Sequence, residues 1–264
     1  MLARQRQDRI QEQVRATGGV QVSDLIDLLG VSGMTVRRDL KTLAARGVLA
    51  RVHGGATGVA PHSTDEPPFL TKSTLRGAAK TAIARLAVTL VEPGTAVALS
   101  SGSTAVAVAR ELLSVPSLTV VTNSVPAFLV LTESGRRDLT TVLTGGIGTQ
   151  SHGLVGPVAV AALRGLHPDV AFMGVHGVDA QAGLTTPNLA EAETDRALVD
   201  CARRLVVVAD SSKWGVVGLA AIAPLAAVDV FITDADLAPD ARSALAGEVG
   251  ELLVADAEDP GRGC

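Results

Sequence analysis

A chain of 264 residues, 47% hydrophobic and with only two cysteines, can bury one large or two modest cores and does not rest on a disulfide framework. Its apolar runs are far too short to cross a bilayer, and its start, MLARQRQDRIQEQ, lacks the apolar stretch of a signal peptide, so a cytoplasmic protein with no membrane partner is expected. The net charge of −4 is uneven: residues 1–60 hold nine Lys/Arg and five Asp/Glu, the remainder fourteen and twenty-two, and a basic head on an acidic body suits a polyanion partner for the head alone.

Residues 4–16 place Ile10 and Val14 one helical turn apart and predict a helix ended by Gly18-Gly19. Ser23 is the expected cap of a short helix over 24–29, with Leu25, Leu28 and Leu29 on one face and Gly30 as its stop. Ser32 is the expected cap of a helix over 33–46, with Val36, Leu40 and Leu43 turned inward. Residues 49–52 read as a strand and Gly54-Gly55 as a wing turn. Two helices, a tight turn and a hairpin in this order make a winged helix-turn-helix, which sets its second helix in the major groove of DNA. Arg37 and Arg38 suit base edges, while Thr35 and Lys41 suit phosphates, and Arg51 and His53 lie where a wing touches the backbone or minor groove. Taken alone, the segment RRDLK would be a solvated helix with Arg–Asp pairs, Asp39 supplying the carboxylate; the turn, caps and wing favour DNA.

Three prolines and small polar residues over 58–68 mark a linker. Beyond it helices alternate with short apolar strands. Helices are predicted over 80–90, 104–113, 126–133, 158–163 and 190–202. Strands are predicted over 95–99, 118–121, 139–143, 170–175 and 205–209, with a last one over 228–233. Such alternation implies an α/β domain with a largely parallel sheet covered on both faces. The expected domains are 1–57 for DNA binding, 58–71 as linker, 72–254 as the α/β domain and 255–264 as a disordered tail.

The residues Val31-Ser32, Thr35-Val36-Arg37-Arg38-Asp39-Leu40, Leu43, Gly47 and Arg51-Val52-His53-Gly54-Gly55-Ala56 closely resemble the N-terminal signature of the DeoR family of bacterial transcriptional regulators, of the DeoR/GlpR type. The resemblance implies that Ser32, Thr35, Arg37, Arg38 and Lys41, with the wing residues Arg51 and His53, face an operator in double-stranded DNA. It continues to about residue 235 through Pro68-Phe69 with Lys72, Ser101-Gly102-Ser103-Thr104, Thr122-Asn123-Ser124, Gly145-Gly146, residues 174–177 and Asp210-Ser211-Ser212-Lys213. This half implies a sensor domain related to ribose-5-phosphate isomerase that binds a phosphorylated sugar effector.

Most of these landmarks follow predicted strands, where ligands of open α/β sheets collect. The Ser101–Thr104 segment opens a helix and suits an anion, and Lys213 supplies a positive charge for phosphate. Lys72, Ser101, Gly102, Ser103, Thr104, Asn123, Gly145, Gly146, His176, Asp179 and Lys213 are therefore the effector-binding candidates. Each also has a plain structural reading: Asn123-Ser124 as a helix cap, Gly145-Gly146 as a tight turn, His176 as a satisfied core histidine, Lys213 as a surface lysine. The chain departs from the family at Ser100, where many members carry Asp, at Ala79 of a common Glu-Lys pair, and at Asp195, where a Lys is common. An isomerase with an appended DNA-binding head is the alternative. It needs a general base near a polarised carbonyl, and although Asp179 and Asp210 lie in strand-end loops, no acid–base pair with convincing spacing is present, so no catalytic residue is assigned. Five scattered His and two distant Cys give no metal cluster, and no cofactor is expected. A homo-oligomer is expected because helix-turn-helix readers bind paired half-sites.

Overall fold

Apolar side chains at helical spacing build the first of two separate cores. The computed structural model describes residues 3–17, 19–45, 49–52, 54–58 and 63–256, and the chain divides between residues 62 and 63 into two units. In the first, α1 (Ala3–Thr17), α2 (Val22–Leu29) and α3 (Gly33–Ala45) bury Ile10, Val14, Leu25, Leu29, Val36, Leu40 and Leu43 together. The helix α2 begins earlier than expected and Ser23 does not cap it: its hydroxyl donates to the Asp24 carboxylate at 3.0 Å. Gly30, at φ 63°, ends α2 in the left-handed region and donates its N–H to the Ile26 carbonyl. Ser32 caps α3, its hydroxyl accepting from the Thr35 N–H at 3.3 Å.

The strands β1 (Gly19–Gln21), β2 (Leu49–Val52) and β3 (Gly55–Gly58) form an antiparallel sheet with β3 in the middle. The wing turn needs its glycines for different reasons. Gly54 sits at φ 82°, which L side chains rarely adopt. A Cβ on Gly55 would lie 2.0 Å from the Val20 carbonyl oxygen, so a side chain there forces β1 and β3 apart.

The second unit is built on seven parallel strands in the order β15 (Glu251–Ala255), β14 (Val230–Asp234), β12 (Leu205–Val208), β9 (Val170–Met173), β4 (Ala96–Leu99), β5 (Leu118–Thr122) and β6 (Leu139–Leu143). Its elements run α4 (Phe69–Thr74), α5 (Gly77–Val88), β4 (Ala96–Leu99), α6 (Ser103–Glu111), β5 (Leu118–Thr122), α7 (Val125–Thr132) and β6 (Leu139–Leu143). There follow β7 (Ile147–Gly148), β8 (Leu154–Val155), α8 (Pro157–Arg164), β9 (Val170–Met173), β10 (Gly177–Asp179), β11 (Gly183–Thr186) and α9 (Leu189–Cys201). The last are β12 (Leu205–Val208), β13 (Ala220–Ala223), β14 (Val230–Asp234), α10 (Pro239–Glu248) and β15 (Glu251–Ala255). Alternation along each strand separates two cores. Val97 and Leu99 pack with Ile83, Val108 and Leu131 from α5, α6 and α7, while Ala98 packs with Leu163, Leu198 and Leu245 from α8, α9 and α10.

Four differences from the sequence reading stand out. The strand over 228–233 is not the last: α10 and β15 follow, and β15 pairs in parallel with β14. Ala255, assigned to a tail, is buried at the end of that strand, and residues 257–264 lie outside the described residues. The linker assigned to 58–71 ends instead in α4, whose Phe69 is buried and stacks on His152 with ring centroids 4.9 Å apart. Finally, β10, β11 and β13 form a small antiparallel sheet and β7 pairs with β8, none of which the apolar pattern had signalled.

Gly55→Ala should lower stability of the first unit by about 1–3 kcal/mol, the usual cost of forcing extra volume into a packed site. Hydrogen exchange should show lost protection at residues 19–21 and 55–58; unchanged protection would mean that the close approach of β1 to β3 is not required.

Candidate functional site

Two surfaces, one in each unit, gather the candidate residues. In the first unit, burying Val36, Leu40 and Leu43 turns Arg37, Arg38 and Lys41 outward, and all three are exposed. Among the described residues the side chains of all three make no hydrogen bond or ion pair; the Arg38 carbonyl accepts from the Thr42 hydroxyl at 3.0 Å. Asp39, the nearest carboxylate, is buried and engaged elsewhere: it accepts from Arg6 Nε at 2.5 Å and Gln7 Nε2 at 3.0 Å, tying α3 to α1. Burial pushes its pKa up, but the bonds from Arg6 and Gln7 and the charges of Arg6 and Arg38 outweigh that and hold it below the usual carboxylate value. The structure thus does not form the Arg–Asp pairs of the alternative reading of this helix.

Ser32 is exposed and bonded to Thr35, whose side chain is half-buried. Met34, not singled out from the sequence, is 81% exposed on the first turn of α3, beside Thr35. A large apolar group on that turn can meet a thymine methyl. His53 and the Arg51 side chain lie outside the described residues; the Arg51 backbone pairs with Ala56 across the wing.

In the second unit, strand-end loops and α9 surround a small solvent-open cleft. It gathers Lys72, Ser101, Gly102, Ser103, Thr104, His176 and Lys213 of the expected residues. Gly102, at φ 115°, stands just before α6, so the first N–H groups of that helix open beside the Ser103 and Thr104 hydroxyls. The Ser101 loop lies close to the β7–β8 hairpin because position 153 is glycine; a Cβ there would meet the Ser101 hydroxyl oxygen at 2.6 Å. Ser100 does not line the cleft: its buried hydroxyl accepts from the Gly174 N–H at 2.9 Å and joins two strand-end loops.

Lys213 is brought in by the Asp210–Lys213 loop. Asp234 accepts from the Ser211 N–H at 2.6 Å, and Arg76 donates to Ser211 Oγ at 2.8 Å and to Asp234 at 3.3 Å. Lys72 pairs with Glu66 at 2.7 Å, and both line the cleft from the segment that enters the second unit. Burial foremost, then the charges of Lys213 and Lys72, lower the pKa of His176 to about 4 against the opposing pull of Glu191 and Asp65. At neutral pH His176 is therefore an uncharged hydrogen-bonding group.

Asn123, Gly145, Gly146 and Asp179 do not line the cleft. Asn123 is buried and donates from Nδ2 to the Leu154 carbonyl at 3.1 Å, holding β8 to the end of β5. Gly145 and Gly146, at φ 75° and 129°, form the turn into β7. The Asp179 carboxylate accepts from the N–H groups of Gln181 and Ala182, both at 2.9 Å, and closes the β10–β11 turn. Conversely, Ser151, Thr186, Glu191 and Asp195 line the cleft and were not expected there. Glu191 is buried and accepts from the hydroxyls of Thr149 at 2.6 Å, Thr186 at 3.2 Å and Ser151.

A family model described as a DeoR-like helix-turn-helix domain matches residues 6–61, and one described as a DeoR C terminal sensor domain matches residues 76–235. The chain is 34% identical to a putative aga operon transcriptional repressor of Escherichia coli O157:H7, over 95% of this chain and 93% of that protein. It is 37% identical to the transcriptional regulator GlpR of Haloferax volcanii, over 92% and 94%. It is 29% identical to the glycerol-3-phosphate regulon repressor of Escherichia coli K12, over 88% and 90%. Among solved structures, ribose 5-phosphate isomerase A of Methanocaldococcus jannaschii is similar at 22% identity and a TM-score of 0.38, over 51% of this chain and 53% of that one.

The depressed His176 pKa predicts a pH dependence. Below its ordinary 6.5 the unfolded chain takes up a proton that the native state refuses until about pH 4, so this residue lowers stability as pH falls between those values. His176→Asn should flatten that part of the profile of urea midpoint against pH; parallel profiles for the two proteins would contradict the assignment.

Proposed function

The chain belongs to the DeoR family of transcriptional regulators, and we propose that it represses carbohydrate-catabolism genes, with its grip on operator DNA set by a phosphorylated sugar in the cleft of the second unit. The observation that carries the DNA side is the state of α3. Arg37, Arg38 and Lys41 are exposed, while the one carboxylate on their helix is occupied by Arg6 and Gln7. Arg37 and Arg38 read bases, Lys41 and Ser32 hold phosphates, and Thr35 and Met34 meet base edges, with Arg51 and His53 reaching the backbone from the wing. The protein acts in the cytoplasm as a homo-oligomer, two readers taking two half-sites of the operator.

The effector reading is supported by the company Ser101–Thr104 keeps. A helix N-terminus with two hydroxyls, facing the same cleft as Lys213 and Lys72, suits a phosphate dianion. His176, uncharged, suits a sugar hydroxyl. Glu66 and Lys72 give a route for coupling: an anion that draws Lys72 away from Glu66 acts on the segment through which the chain passes from one unit to the other. The isomerase alternative is not favoured, since relatives matched over nearly their whole length are named as regulators.

Gel shift with an operator selected from random DNA tests the reading. The Arg37→Ala, Arg38→Ala double variant should fold normally and bind at least roughly 30-fold more weakly, from about 1–3 kcal/mol per base contact. Undiminished binding by that variant would overturn the assignment of α3.

A further inference from the structure

The helix α9 brings a second carboxyl group to the cleft, one turn beyond Glu191. Asp195 is 8% exposed and lines the cleft, yet among the described residues no group donates a hydrogen bond to its carboxyl. Its neighbours are otherwise engaged. Arg196 turns away and donates to the Ala221 carbonyl. The Thr194 hydroxyl donates to the Ala190 carbonyl at 2.9 Å and accepts from the Gly156 N–H at 3.2 Å. The donors nearby, Thr149, Ser151 and Thr186, are all spent on Glu191.

The Asp195 oxygens open onto the cleft and meet no donor of the chain, and a second carboxyl on the same helix opposes their ionisation. Burial first, then the charge of Glu191, push the Asp195 pKa well above the ordinary carboxylate value. A group kept in that condition on the wall of an open cleft calls for a donor supplied from outside the chain. A hydroxyl would satisfy one oxygen. An ammonium group does more, because it donates up to three hydrogen bonds and offsets the repulsion between the two carboxyls of α9.

We propose that Asp195 is the specificity-determining residue of the cleft, and that the effector it selects is a phosphate monoester bearing an amino group, whose ammonium meets Asp195 and Glu191. This rests on the reading of the cleft as a phosphate site, with the phosphate at Ser101–Thr104 and Lys213. The Asp195 carboxyl then separates aminated from purely hydroxylated esters, a discrimination that a site made only for phosphate cannot achieve.

The test is calorimetric titration of the full chain with inorganic phosphate and with matched phosphate monoesters, from ethanolamine phosphate to 2-amino-2-deoxyhexose 6-phosphates, each beside its hydroxyl counterpart. The wild type should bind at least one amino member about tenfold more tightly than its counterpart. Asp195→Asn, and Asp195→Ala should the first variant fold poorly, should reduce that preference to less than about twofold while inorganic phosphate still binds. Equal affinity within every pair, or a preference that survives both substitutions, overturns the role of Asp195 and leaves the phosphate site standing. No heat from any probe, inorganic phosphate included, overturns the phosphate site and this inference with it.

Discussion

Parallel pairing is the constraint on which the sensor half depends. Because the strands of the seven-stranded sheet all run the same way, their carboxyl ends share one rim, and the loops after β4, β9 and β12 must meet there. Distant residues then become neighbours. Ser100 bonds to Gly174 across 74 positions, and Arg76 reaches Asp234 across 158. Those bonds hold the Ser101–Thr104 loop and Lys213 in place before any ligand arrives. The cleft is polar because the rim is where backbone and hydroxyl groups have no strand partner left.

The DNA-reading unit uses a different economy. Its core is small, and α3 must be fixed without masking its cations. Asp39 does this from the buried side, through Arg6 and Gln7 of α1, so that the outward arginines keep their hydrogen-bond donors free of a carboxylate. The same residue type plays the opposite part on α9. There Glu191 is fully supplied with hydroxyl donors, and Asp195 is left without one. Asp39 fixes a helix; Asp195 opens onto the wall of the cleft.

How much of this could be read from the chain follows from the range of the forces involved. The helices α1, α2 and α3 were legible because their apolar spacing and their glycine and serine stops are local. The inner strands of the main sheet were legible because strands buried on both faces are apolar throughout, whereas its edge strand β15 was not read. The helix α10 was not, since few of its side chains are buried, and the sheet of β10, β11 and β13 is too short to show a period. At the cleft, position along the chain indicated which loops reach the rim but not which way each side chain turns. Asn123 and Asp179 turned to neighbouring backbone, while Glu191 and Asp195 face the cleft from α9. The surroundings of Glu191 are set by residues some forty positions away, Thr149 and Ser151. No local pattern carries that information.

The central claim is that one molecule in the cleft changes the affinity of α3 for DNA. Linkage makes that claim measurable in two independent directions. Operator affinity would be measured by fluorescence anisotropy with and without a saturating phosphorylated sugar, and that sugar's affinity by calorimetry with and without the operator. The account predicts the same factor from both, in the range of about 5–150-fold that a coupling of roughly 1–3 kcal/mol produces. A sugar phosphate that occupies the cleft and leaves operator affinity unchanged would contradict it.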